Sequence, residues 1–350
     1  MPSCLKFLLI LVVTAATVRG AETAAADPLR EKIDRAIAKV KNRPLRADRD
    51  TPWVVMHAMI AFEQKISVLT AGADKPVPGL TYLCTQARHD GKRIFRNNNG
   101  LPDLPTRGFS YGMKKSFLIQ DHVDQFLMAF ADADVPATQK VKADDGTEFT
   151  VADMVTAAQK RFKPDQELGW TLVAATHYLG LDHTWVGADG KKYKVADVVA
   201  LAVKRNSSRE TEGGPHHLYG IAYALEAHRR AGGEVTGVWA DAETYLKRHV
   251  RIARRFQLKD GSFSVMMFRR RMPARTPKLL VWATGHQIEW MTRALTAEQL
   301  TEPWMRRAVE KLADTLIAQD TESLSMGGLY HAAHALRRFR EVTAPDVKKP

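Results

Sequence analysis

Apolar residues recur three and four positions apart along almost the whole chain from Pro28 onward. In the first such stretch Leu29, Ile33, Ala36, Ile37 and Val40 share one face, which predicts a helix from Pro28 to Lys41. A second begins at Trp53, after Pro44 and Pro52. About twelve helical segments are read in this way, separated by Gly, Pro and Asp-Gly punctuation. Strand alternation is scarce, so the pattern predicts an all-α fold.

The helices repeat. Asp145-Gly146, Val151-Ala152-Asp153-Met154-Val155 and Lys160-Arg161 recur 44 residues later as Asp189-Gly190, Val195-Ala196-Asp197-Val198-Val199 and Lys204-Arg205. In both copies the Asp-Gly is a tight, β-hairpin-like turn leading into a helix. Thr150 and Asp153 have the spacing of a capping box. Leu218-Tyr219-x-x-Ala222-x-Ala224-Leu225 is echoed by Leu329-Tyr330-x-x-Ala333-x-Ala335-Leu336, and Thr236-x-x-Trp239 by Thr301-x-x-Trp304. Pairing the segments yields six helical hairpins. Their second helices are Trp53–Ser67, Ile119–Ala131, Leu168–Gly180, His216–Arg230, Ala283–Leu295 and Gly327–Arg340. Closed in a ring, six hairpins form an α/α toroid with one helix of each pair inside; stacked without closure they form an open solenoid. Residues 21–350 carry no clear linker, which fits one closed domain.

Gln257-x-x-x-Gly261-Ser262-Phe263, after a long helix, resembles the Gln/Gly/aromatic turn of the terpene-cyclase and prenyltransferase type of toroid. The resemblance covers layout and one short motif. It implies a ring of helical hairpins, an architecture also used by polysaccharide lyases and unsaturated-glucuronide hydrolases. The chain has no Asp-x-Asp-Asp and no Asp-Asp-x-x-Asp, and Cys84 is the only cysteine after Cys4. The acidic motifs and the mixed Cys/His/Asp zinc site of isoprenoid chemistry are therefore missing.

Aligned on Phe62, Phe130, Leu179, Leu225, Leu295 and Leu336, the second helices are apolar seven and four residues upstream. Their opposite face is unusual. Nine upstream stand Trp53, Asp121, Trp170, His216, His286 and Gly327; six upstream stand Met56, Asp124, Val173, Tyr219, Glu289 and Tyr330. His57 and His331 occupy the position five upstream, His177 and His334 the position two upstream. Lysine is absent from all four columns, although a solvated helix face usually carries it. Such side chains line pockets. Parallel inner helices would bring Trp53, Asp121, Trp170, His216 and His286 together at helix N-termini, which favour an anion. His216, His286, Glu289 and Asp121 are the candidate catalytic groups, because imidazole and carboxylate exchange protons near neutral pH. Trp53 and Trp170 offer flat faces for sugar rings, and Tyr219, Asp124, His217 and Tyr330 join them as candidate binding residues. Each also has a structural reading: Asp121 as an N-cap, the tryptophans as packing, His57, His331 and His334 as wall residues.

Charge and composition complete the picture. Lys and Arg number 52 against 39 acids, a formal net charge of +13. Met1 to Gly20 reads as a signal peptide, with Lys6 ahead of an apolar run from Phe7 to Val18 too short to span a bilayer. This predicts an exported, periplasmic or extracellular protein without stable membrane insertion after cleavage. Two basic loops stand out: Arg88, Lys92, Arg93 and Arg96 with Arg107, Lys114 and Lys115, and Arg269-Arg270-Arg271 with Arg275 and Lys278. Arg269 and Arg270 are candidate contacts to a polyanion. Nucleic acid is not expected, since no stacking-and-basic motif is present. No cofactor motif is found; His216, His286 and Asp121 belong to the ligand set of a divalent metal, without a His-Glu-x-x-His signature. Two functions follow: an enzyme cleaving an anionic oligo- or polysaccharide, by lyase or hydrolase chemistry, or a non-catalytic binding or scaffold protein.

Overall fold

The computed structural model describes residues 27–72, 75–106 and 119–344. The expected signal peptide at 1–20 and the basic residues Arg107, Lys114 and Lys115 lie outside the described residues. Thirteen α-helical segments are found among the described residues, and no helix there is long and apolar enough to cross a membrane. Helix starts follow from local chemistry. α1 (Pro28–Lys41), α2 (Pro52–Phe62), α8 (Pro215–Arg230), α10 (Pro277–Ala294) and α12 (Pro303–Ala318) each place a proline in the first turn, where its missing N–H is not needed. Asp27, Thr51 and Thr276 cap three of these helices with side-chain oxygens.

The remaining helices are α3 (Gly79–Thr81), α4 (Gln125–Asp132), α5 (Val151–Arg161), α6 (Gly169–Tyr178), α7 (Val195–Ala202), α9 (Gly237–Phe256), α11 (Ala297–Leu300) and α13 (Met326–Val342). The 44-residue repeat is a structural unit. β1 (Lys140–Lys142) and β2 (Glu148–Thr150) pair antiparallel around Asp145-Gly146 and lead into α5; β3 (Trp185–Val186) and β4 (Lys192–Tyr193) pair around Asp189-Gly190 and lead into α7. Gly146 and Gly190 have φ of 93° and 77°, which explains the glycine at both turns. The Thr150–Asp153 capping box is formed.

The second expected hairpin is different. Between α2 and α4 no long outer helix forms among the described residues. A single turn, α3, continues into a π-helical turn at Tyr82–Gln86, and short two- and three-residue strands fill the rest. Pro76, Pro78, Pro102 and Pro105, with Gly91 and Gly100, interrupt any helical run there. The inner helices also shift. α2 stops at Phe62, where Glu63 takes a positive φ, α4 starts only at Gln125, and α10 starts six residues before the expected Ala283.

Six helices carry the core. α2 packs on α4, α4 on α6, α6 on α8, α8 on α10 and α10 on α13, and α13 returns to α2. Outside them α1 lies on α12 and α13, α5 on α6, α7 on α6 and α8, α9 on α7 and α8, and α12 on α10. The apolar columns are buried as expected, with Val55, Leu172, Leu218, Ile288 and Leu329 all fully covered; Val123, in the turn before α4, is half-buried. Most of the opposite, polar face is buried as well, including His57, Trp170, His216, His286, Glu289 and His331, whereas Trp53, Asp121 and His177 are half-buried. The turn that carries the prenyltransferase resemblance is a structural tie. Gln257 Nε2 donates to the carbonyls of Gly261 and Trp304, both at 2.8 Å, and so fastens the end of α9 to the start of α12.

α6 and α8 approach until backbone meets backbone. A Cβ on Gly220 would stand 2.1 Å from the carbonyl oxygen of Gly169, and one on Gly169 would stand 2.5 Å from that of His216. Neither obstacle is a movable side chain. Gly220→Ala is therefore expected to destabilise the protein by about 3 kcal/mol through forced separation of the two backbones. Urea denaturation of the variant checks this; a loss below about 0.5 kcal/mol would contradict the close crossing.

Candidate functional site

Five of the six core helices, or the turn just ahead of them, send a histidine to one cluster. They are His57 from α2, His122 before α4, His216 from α8, His286 from α10 and His331 from α13. The sixth helix, α6, contributes Trp170. Ring centroids lie 4.2 Å apart for His286 and His331, 5.1 Å for His216 and His286, and 5.3 Å for His57 and His331. Trp170 lies 4.3 Å from His216 and parallel to His331. Trp53 covers His57 at 3.8 Å, in space left by Gly327, whose Cβ would stand 2.8 Å from the indole.

The tautomers follow from the partners. The Nδ1 atoms of His57 and His286 lie 2.7 Å from the carbonyl oxygens of Trp53 and Trp282. A carbonyl only accepts, so each Nδ1 carries the proton and each Nε2 keeps a lone pair. Gln125 donates its amide to Nε2 of His57 at 3.4 Å. His331 Nδ1 lies 2.9 Å from both oxygens of Glu289. His216 is the exception: it is 2% exposed, and neither ring nitrogen has a hydrogen-bond partner.

Beneath the cluster the polar network continues. Glu289 also accepts from Nδ1 of His334 at 2.7 Å, and Nε2 of His334 stands 3.2 Å from Asp132. Asp132 accepts from the Tyr219 hydroxyl and pairs with Arg293. Arg293 reaches the half-buried Glu226 at 2.7 Å. A chain of polar contacts thus runs from the imidazoles to a carboxylate near solvent.

Burial sets the charge states. It holds His57 and His216 well below the ordinary imidazole pKa, and the neighbouring rings add to the effect. His286 falls to about 4 through burial and then His331; His331 falls to about 3 through burial and then His122. His122 goes the other way. Burial opposes its charged form, but the bond to Glu167 at 3.1 Å prevails and raises its pKa. Against burial, Arg293 and then His334 hold Asp132 down at about 2. The cluster is a set of neutral imidazoles beside one that favours protonation.

The predicted residues divide cleanly. His216, His286 and Trp170 converge, Trp53 joins through His57, and Glu289 lies directly behind His331. Tyr219 sits deeper, on Asp132, with the Arg293 guanidinium 4.8 Å over its ring. Asp121 stands in the turn before α4 and is not its N-cap, because that helix begins four residues later. Asp124 is fully engaged elsewhere: its carboxylate accepts from Thr171 at 2.6 Å and pairs with Arg161. His217 turns to the outer layer and bonds the Ala202 carbonyl at 3.1 Å. Tyr330 faces Phe62 and accepts from Arg43. Arg269 and Arg270 are exposed; Arg269 donates to the Ser208 carbonyl, on the loop that leads to His216.

His122, Glu167 and Asp132 escape the sequence reading. Asp132 follows the expected end of its helix by one residue, and His122 falls in none of the aligned columns and stands in the turn before α4. The wide spacing in sequence of Glu167 leaves no local signal. Trp170 and His216 are 1% and 2% exposed, so the axis around them is filled by side chains and not open as a funnel.

Four buried rings held neutral make stability depend on pH. Their pKa is lowered in the fold, so the unfolded chain binds more protons below about pH 6.5. Stability is complete above that value and falls as pH drops toward the folded values, about 4 for His286 and about 3 for His331. Urea denaturation in buffer with EDTA is expected to lose more than about 1.4 kcal/mol per pH unit between pH 6 and 5, since more than one ring contributes. A flat profile over that range would show that the rings are not held neutral.

Comparison with known protein families, with curated proteins and with solved structures finds no match to this chain.

Proposed function

We propose that the protein is an α/α toroid that uses its axis as an acid–base centre, and that it cleaves an anionic substrate, with an acidic or sulfated glycan as the leading class. The observation that carries the reading is the convergence of imidazoles from five of six helices, four of them held neutral, with Glu289 orienting one of these. The cyclic order of packing, α13 back onto α2, supports the ring in preference to an open solenoid. A neutral imidazole keeps a lone pair that can accept a proton, although burial weakens it as a base, and His122 beside Glu167 is a ready proton donor. Glu289 acts as a positioning residue, because both its oxygens hold histidines. Exposed Arg269 and Arg270, near the loop into His216, supply attraction for an anion. The address remains an exported protein, argued from residues 1–20 of the sequence alone.

A specific observation favours a second reading. A polysaccharide cannot stack on Trp170 while that ring is 1% exposed. A closed axis suits a non-catalytic binding or scaffold protein, with the polar network acting as internal glue. Turnover separates the two. The purified protein is incubated with uronic and sulfated glycans, and reducing ends and unsaturated-uronate absorbance are followed. The enzyme reading expects product, and a fall of about 10²–10⁴ in turnover for His286→Asn. No product across the panel from folded protein leaves the scaffold reading.

A further inference from the structure

We infer that His216, His286 and His331 form a binding site for one transition-metal ion of the zinc, cobalt or copper type. One ligand atom from each of the three residues lies within 4.8 Å of the others, and all three side chains are buried. A tetrahedral ion with bonds of about 2.1 Å sets its donors roughly 3.4 Å apart, so side-chain shifts of about 1 Å complete the site.

His216 supplies the independent observation. Its imidazole is 2% exposed and aimed among the other rings, yet both nitrogens lack any partner. A buried polar group in that condition is costly unless something occupies the space beside it. A cation satisfies one nitrogen directly. The other two rings are prepared in the manner of metal ligands. His286 donates Nδ1–H to the Trp282 carbonyl, and His331 donates Nδ1–H to Glu289. Each ring is thereby locked with its Nε2 lone pair free, as outer-shell partners of bound metals do. Charge is compensated nearby. Glu289 lies behind His331, and Glu212 accepts from the Trp282 indole at 2.6 Å. Three nitrogen donors without an oxygen among them select zinc, cobalt, nickel or copper over magnesium and calcium.

A neighbouring set, His122, Glu167 and His216, is also close enough to hold an ion. There His122 is already paired with Glu167 at 3.1 Å, so the site would have to break an ion pair to form. The three-histidine set needs no such loss. With three protein ligands, a fourth position stays open for water or substrate, which is the arrangement of catalytic sites. This deepens the acid–base reading and rests on it only in that consequence: an ion here would supply an acidic water in place of a free imidazole base.

The test uses the purified protein stripped with EDTA and needs no substrate. Cobalt(II) is titrated in, and visible d–d absorption and tryptophan fluorescence are recorded; zinc(II) is then added. One cobalt per chain is expected, with tetrahedral-type absorption, quenching from Trp170 beside His216, and displacement by zinc. His286→Gln and His331→Gln are expected to weaken binding at least about 100-fold, and Glu289→Gln about 10-fold. His122→Gln leaves it within about 3-fold of wild type. Absence of stoichiometric uptake by the wild type overturns the inference, and that measurement stands even where a variant fails to fold. Retained affinity in folded His286→Gln, or equal loss in His122→Gln, overturns the ligand assignment. Metal binding without glycan cleavage defeats only the substrate reading; cleavage by a protein that takes up no stoichiometric metal defeats only this inference.

Discussion

A row of ionisable side chains held away from water on the axis of six mutually packed helices is the constraint on which the rest depends. Neutral imidazoles tolerate burial if their N–H groups find acceptors, and backbone carbonyls one helical turn back provide them for His57 and His286. Carboxylates tolerate it only when charge and hydrogen bonds surround them. Glu289 therefore lies between two histidines, and Asp132 among Arg293, Tyr219 and His334. Glu289, His331, His334, Asp132, Tyr219 and Arg293 are each placed by another, so this part of the network behaves as one unit and small displacements are felt along it.

The helix packing serves this network. Gly169 and Gly220 let α6 and α8 approach until backbone meets backbone, which brings Trp170 onto His216. Gly327 does the same for Trp53 above His57. Small residues thus make room for the large aromatic ones that exclude water from the cluster. Exclusion of water in turn keeps the rings neutral, and neutral rings are what both base catalysis and metal ligation require.

The two functional readings differ in what they ask of that closure. A scaffold needs it permanent. A catalyst needs substrate to reach the imidazoles, and a centre holding an ion needs only a small path to the open ligand position. The indoles of Trp53 and Trp170 also lack acceptors, but His216 is the imidazole of the cluster with both nitrogens unpartnered, which argues that something other than its neighbours' side chains completes the site.

Periodicity by itself determined that the chain is helical, where most inner helices lie, and that their polar faces carry imidazole, indole and carboxylate in place of lysine. It also determined the repeated hairpin-and-helix unit at 145–161 and 189–205, because Asp-Gly turns and caps are local chemistry. These features depend on neighbours within a few residues. Periodicity overextends the helices to Ser67 and back to Ile119, and the hairpin between them lacks a long outer helix, because prolines and positive-φ positions interrupt the run there. Only the tertiary structure decided which histidines meet. His57 and His331, or His122 and Glu167, are far apart in sequence and linked by no local signal. It also decided that Asp124, His217 and Tyr330 face other partners, since a rotation of one helix by a fraction of a turn selects which neighbour each side chain finds.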